Sequence, residues 1–178
     1  MVDFAGEILI LTGSPGSGKT TAAETLAFEP GSYKVHLHSD DFWGFIKHGR
    51  IAPYLPESSA QNGVVMEALA GVVETFSRGG YFVILDGIVG PWFLPSFDAS
   101  KAVVHYVVLR PPIEVAIERC SQRGGDTLTE PGPIRELHQQ FGALGNLERH
   151  AIATDGLGPA EVVQRVIRAL QSGEYRLG

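Results

Sequence analysis

The chain has 178 residues, 44% hydrophobic and 19% charged, enough for one sizeable core and too few for two comfortable domains, so residues 1–178 are read as a single domain. A net charge of −6 without any basic block leaves no footprint for a long nucleic acid, whose binding needs clustered cations. No apolar run approaches a membrane span, no signal-peptide pattern opens the chain, and the one cysteine, Cys120, excludes an internal disulfide and suits a reducing cytoplasm.

In chain order, Glu7–Thr12 is a first apolar strand, followed by a Gly/Ser/Pro loop and a helix over Lys19–Phe28. Pro30-Gly31 ends that helix, and Tyr33–His38 is a second strand. The polar and aromatic stretch Ser39–Ser59 carries Pro53 and Pro56, which forbid a long helix through it. Val64, Val65, Leu69, Val72, Val73 and Phe76 recur at helical spacing and predict a helix over Gln61–Ser77, closed by Arg78-Gly79-Gly80 with a left-handed glycine. Tyr81–Leu85 and Ala102–Leu109 are near-continuous apolar runs of the kind found in strands covered on both faces. Pro111–Gln122 is a helix with proline at its start, Arg123–Pro133 a loop, and a further helix starts near Ile134. His150–Thr154 is a short fifth strand and Pro159–Gln171 a final amphipathic helix. Strands alternating with helices imply an α/β fold with a parallel sheet wrapped on both faces.

Gly13-Ser14-Pro15-Gly16-Ser17-Gly18-Lys19-Thr20 fits G-x-x-x-x-G-K-[ST], and it lies between a strand and a helix, as phosphate binding requires. The glycines let backbone N–H groups approach phosphate oxygens, and the helix start adds orphan donors and the positive dipole end. Lys19 would reach the β- and γ-phosphates and the Thr20 hydroxyl would ligate Mg²⁺, with Thr21 completing the nucleotide contacts.

Ligands of open parallel sheets sit beyond the carboxyl ends of the strands. Asp40-Asp41 follows the second strand and Asp86-Gly87 the third. Asp86 is expected to bind Mg²⁺, directly or through water. Asp40 is the preferred base for a substrate hydroxyl, Asp41 the alternative, and the other of the pair is expected to cap the next helix. Arg119 and Arg123 share one helix face, and Arg123 opens onto Gly124-Gly125-Asp126. Such cations either close over transferring charge as part of a lid at about residues 123–133 or belong to a solvated helix. His36, His38 and His105 fall in strands, and their spacing offers no zinc set.

Taken together, GSPGSGKT, the Asp40 pair, Leu85-Asp86-Gly87 and the run from Leu109 to Arg123 resemble the small P-loop kinases related to nucleoside monophosphate, shikimate and gluconate kinases. The resemblance implies a P-loop NTPase three-layer sandwich, a five-stranded parallel sheet in the order 2-3-1-4-5, a short lid, and ATP with Mg²⁺ as donor. The stretch His150–Pro159 is similar to their fifth strand and following loop, which implies that backbone near Thr154 and Asp155 approaches adenine. Pro30-Gly31 and Asp40-Asp41-Phe42 also resemble polynucleotide 5′-kinases, zeta toxins and chloramphenicol phosphotransferases.

Two departures matter. Trp43-Gly44 stands where polynucleotide kinases carry an arginine, and Ile88-Val89-Gly90-Pro91 replaces the F-P-R of adenylate kinases. Both argue against a phosphorylated or polymeric acceptor. The acceptor is expected within residues 40–62, where Trp43, Phe45 and Tyr54 either stack on a ring or roof the core, and Lys47 or Arg50 could meet an anion. The expected activity is ATP-dependent phosphorylation of a small-molecule hydroxyl in the cytoplasm. The alternatives are a nucleoside or nucleotide kinase of the cytidylate type and a regulatory NTPase without an acceptor.

Overall fold

Alternation of side chains lets the three central apolar runs bury both of their faces, while the two edge runs are only partly covered. In the computed structural model, which describes residues 3–98, 100–123 and 128–178, these runs are β1 (Ile8–Thr12), β2 (Lys34–His38), β3 (Phe82–Gly87), β4 (Val104–Arg110) and β5 (Ala151–Ala153). They pair in parallel in the order β2-β3-β1-β4-β5, the order the resemblance implies. Ile8 and Ile10 point to one face, with Val83, Leu85, Tyr106 and Val108. Leu9 and Leu11 point to the other, with Ile84, Val107 and Leu109.

The helices complete the two outer layers. They are α1 (Lys19–Phe28), α2 (Ser39–Gly44), α3 (Ser59–Arg78), α4 (Ile113–Arg123), α5 (Pro131–Phe141) and α6 (Pro159–Ser172). Ala22, Ala23 and Leu26 of α1 pack with Val163, Val166 and Leu170 of α6 on the second face. Val65, Met66, Leu69 and Val73 of α3 cover the first. That stripe is narrower than the periodicity suggests, because Val64 and Phe76 point to solvent. Leu69 is fully buried, so its truncation to alanine would cost about 2–5 kcal/mol.

Four local features differ from expectation. α5 starts at Pro131 rather than near Ile134, because prolines in a first turn surrender only N–H groups that have no intrahelical partner. β5 is shorter than His150–Thr154, since a 3₁₀ segment over Gly145–His150 runs up to it. Another 3₁₀ segment, Pro91–Phe97, stands between β3 and β4. Finally, neither Asp40 nor Asp41 caps a helix. Both lie in the first turn of α2, whose N-cap is His38 without a side-chain cap bond. Among the described residues no helix is long and apolar enough to cross a membrane.

Parallel register brings the working ends together. Asp86 lies opposite Leu11 of β1 and His38 of β2, and Thr12 lies opposite Gly87.

Candidate active site

The loop Gly13–Gly18 leaves β1 and turns directly into α1. Gly16 has a φ of 75°, and a Cβ there would overlap the Ala116 carbonyl of α4, so only glycine lets the loop seat against that helix. α1 has neither a side-chain cap nor an acidic residue in its first turn, which leaves N-terminal N–H donors for an external anion.

Lys19 is buried, and its Nζ reaches only the Ser14 carbonyl, at a long 3.5 Å. No carboxylate lies within ion-pair distance of it among the described residues. Burial pushes its pKa down, while the charges of Asp40 and Asp86 pull the other way. The Ser17 hydroxyl is buried without a hydrogen-bond partner. A buried ammonium lacking a counter-ion, an orphaned hydroxyl and an uncapped helix start together fit a polyphosphate.

Asp86 is fully buried. Its Oδ2 accepts a hydrogen bond from Thr20 Oγ1 at 2.6 Å. Its Oδ1 meets His36 Nε2 at 2.6 Å, and His38 Nδ1 lies 3.1 Å from both oxygens. Burial alone would raise the Asp86 pKa, but the hydrogen bonds from His36, His38 and Thr20 outweigh it and hold the carboxyl well below the usual carboxylate range. In return, the hydrogen bond to Asp86 raises the pKa of His38 despite its partial burial. Thr20 and Asp86, the two expected metal ligands, are therefore in contact, and a hard cation suits their oxygen donors.

His36 and His38 are site residues that reading the sequence left in the sheet. The available signal is their i, i+2 spacing, which puts both on one side of β2, but the target on β3 appears only with the strand order.

Asp40 is exposed. Its Oδ2 lies 3.6 Å from His38 Nε2, and its Oδ1 lies 3.4 Å from Ser39 Oγ. Asp40 acts on the charge of Lys19, alongside Asp86. Both Asp40 and Asp41 border a cavity of about 1180 Å³. From the expected acceptor region, Phe45, Lys47, Arg50 and Tyr54 line it. Trp92 and Phe93 of the 3₁₀ segment and Glu136 of α5 also line it, and no local motif marks these. Trp43 is a roof residue. It is 4% exposed and its Nε1 donates to Asn62 Oδ1 at 2.8 Å.

A second cavity, of about 290 Å³, borders the phosphate loop itself. Ser17, Gly18 and Thr21 line it, together with Arg119 and Arg123 of α4 and Leu157 and Pro159 from the loop after β5. Arg119 also donates to the Gly16 carbonyl at 3.3 Å, whereas Arg123 is exposed at the end of α4. Asp155 is exposed and does not line this cavity, its place being taken by Leu157 and Pro159. The lid residues Gly124, Gly125, Asp126 and Thr127 lie outside the described residues.

Residues 9–132 match the protein-family model described as AAA domain. The chain belongs to that family. No curated protein matches its sequence. Among solved structures it is similar to a sugar kinase from Janibacter sp. HTCC2649, with a TM-score of 0.69 and 21% identity over 93% of this chain and 94% of that one. It is also similar to the tunicamycin resistance protein of Deinococcus radiodurans, with a TM-score of 0.70 and 18% identity over 97% and 98%. A gluconokinase from Sinorhizobium meliloti 1021 gives 0.66 and 17% over 96% and 94%. At these identities the likeness is one of fold, and the fold is that of the small P-loop kinases.

Proposed function

We propose that this protein is an ATP-dependent kinase that transfers the γ-phosphate to a hydroxyl group of a small molecule in the cytoplasm. The observation that carries the reading is Lys19. A buried ammonium with no carboxylate partner among the described residues is costly unless an anion completes it, and the exposed carboxylate of Asp40, whose charge Lys19 feels, borders a large cavity.

Backbone N–H groups of Gly13 to Thr20, with Ser14, Pro15 and Ser17 shaping the turn, would cradle the phosphates, and Lys19 would pair with the β- and γ-phosphates. Thr21, Arg119, Leu157 and Pro159 line the smaller cavity, which suits the adenosine portion. Thr20 and Asp86 would hold Mg²⁺, which when bound neutralises phosphate charge. Because Asp86 is kept ionised by its hydrogen bonds, it is ready to serve without first losing a proton.

Asp40 would take the proton of the acceptor hydroxyl as its oxygen bonds to the γ-phosphorus and the bond to the bridging oxygen breaks, releasing ADP. Arg123 would close over the charge of the transferring group. A regulatory NTPase needs the phosphate loop but not a second cavity bordered by a candidate base, which favours transfer.

The test is ATP turnover with and without a metabolite panel. Turnover that rises with one compound and yields its phosphorylated product is the expected result. Hydrolysis of the same rate whatever is added would refute the kinase reading.

A further inference from the structure

The large cavity carries information about the acceptor, provided the kinase reading holds. We infer that the acceptor is an uncharged or cationic hydroxy compound with a flat or apolar portion, of nucleoside size or larger, rather than a carboxylate or phosphate ester.

Apolar exposure is the first observation. Of the large hydrophobic side chains exposed among the described residues, Phe28, Tyr33 and Val64 do not line this cavity, whereas Phe45, Tyr54, Leu55 and Trp92, 43–67% exposed, all face it. They come from two separate stretches, the segment after α2 and the 3₁₀ turn after β3. Convergence of exposed rings from distant parts of a chain marks a surface meant to be covered, and aromatic faces favour flat or apolar partners.

Charge is the second. Asp40, Asp41, Glu130 and Glu136 border the cavity, against Lys47 and Arg50. His38 also lines the cavity, and Lys47, although its ammonium donates to the Gly44 carbonyl at 2.7 Å, keeps its charge, so two fixed cations stand against four carboxylates and the acidic side is in excess. An anionic acceptor would enter a field of its own sign and lose affinity, whereas a cation gains and a neutral molecule is indifferent. Like-charge walls of this kind discriminate by exclusion. The catalytic need for Asp40 does not explain Glu130 or Glu136, which come from the start and middle of α5.

Size is the third. At about 1180 Å³ the cavity exceeds the roughly 300–1,000 Å³ of ordinary small-ligand sites. A six-carbon sugar acid would leave most of it to water.

The experiment uses the intact protein with ADP and Mg²⁺ saturating the donor side, and follows acceptor binding by fluorescence. The chain has two tryptophans, both of which line the cavity, Trp43 at 4% and Trp92 at 46% exposure, so Trp43→Phe is used as the background in which the signal reports Trp92 alone. Cytidine, adenosine and a 3′-aminonucleoside serve as uncharged and cationic probes, and CMP, AMP, gluconate and shikimate as anionic ones. We expect at least one uncharged or cationic probe to quench Trp92 with a Kd at least tenfold below that of every anionic probe. Glu136→Lys should shrink this preference several-fold. Trp92→Ala, followed by isothermal titration calorimetry because it removes the fluorophore, should weaken the same probe at least tenfold without altering the melting shift given by ADP, whereas a folding defect would alter both.

Tighter binding or faster phosphorylation of any anionic probe overturns the inference, as does the failure of every uncharged and cationic probe to bind. Failure of the kinase reading looks different. The Trp92 binding order would stand, but ADP would give no melting shift or no probe would be phosphorylated.

Discussion

Replacing Lys19 with methionine should make the protein without nucleotide more stable while removing its use for ATP. The Lys19 ammonium is buried, and its only hydrogen bond among the described residues, to the Ser14 carbonyl, is 3.5 Å long. An ion taken from water into such a site costs several kcal/mol, partly offset here by the longer-range attraction of Asp40 and Asp86. Methionine fills similar space with no charge to desolvate. A net gain of about 1–3 kcal/mol follows, and in a chain of this size each kcal/mol raises Tm by about 2–4 °C.

The sign can be checked through pH. Burial lowers the Lys19 pKa below its unfolded value, so between the two values the unfolded chain binds more protons and wild-type stability rises with pH. The advantage of Lys19→Met should therefore shrink as pH climbs towards the ordinary lysine range. The functional cost is the loss of charged hydrogen bonds to phosphate, about 1.5–3 kcal/mol each, or roughly a ten- to hundredfold loss of ATP affinity per bond. Differential scanning fluorimetry with and without ATP and Mg²⁺ reads both effects. A variant that melts below wild type without nucleotide, or keeps the wild-type ATP shift, refutes the reasoning.

Asp86→Asn removes the charge that His36, His38 and Thr20 surround. It should destabilise the fold by about 3–5 kcal/mol in urea titrations and blunt the Mg²⁺ dependence of every phosphoryl reaction. Asp40→Asn alters an exposed side chain, so it should leave Tm and the ATP-induced shift nearly unchanged while acceptor phosphorylation falls by about 10²–10⁴. If full transfer persists, Asp41 becomes the base to test. Arg123→Ala should lower kcat by about 10²–10³ with little change in KM for ATP, and a change of only a few-fold would return Arg123 to the solvated end of α4. Burial lowers the pKa of His150, which donates from Nδ1 to the Tyr106 carbonyl. Its contribution to stability is thus present above the unfolded histidine value of about 6.5 and lost as pH falls below it. His38, raised by Asp86, titrates in the opposite sense, so the informative comparison is the urea midpoint of wild type against His150→Gln between pH 5 and 7.5, where the variant should show the smaller drop on acidification.

The phosphate loop was legible because its chemistry is local. Gly13 to Thr20 supply their own turn, donors and cation within one contiguous stretch, and the strand before and helix after follow from short-range periodicity. The alternation of apolar runs and helices likewise settled the α/β class, since parallel strands need crossovers and coverage on both faces. What the tertiary structure decided is everything that depends on which strands and turns become neighbours. His36 and His38 become partners of Asp86, some fifty positions away in the chain, only because β2 lies beside β3 with His38 opposite Asp86. Trp43 and Phe45 stand two residues apart and both border the large cavity, yet one is buried against Asn62 and the other is exposed, a choice made by the direction of α2. Trp92 and Glu136 join the wall of the large cavity from segments with no motif at all. A backbone cradle is written in consecutive residues, whereas a pocket wall is made by packing, and packing brings together side chains that the order along the chain keeps apart.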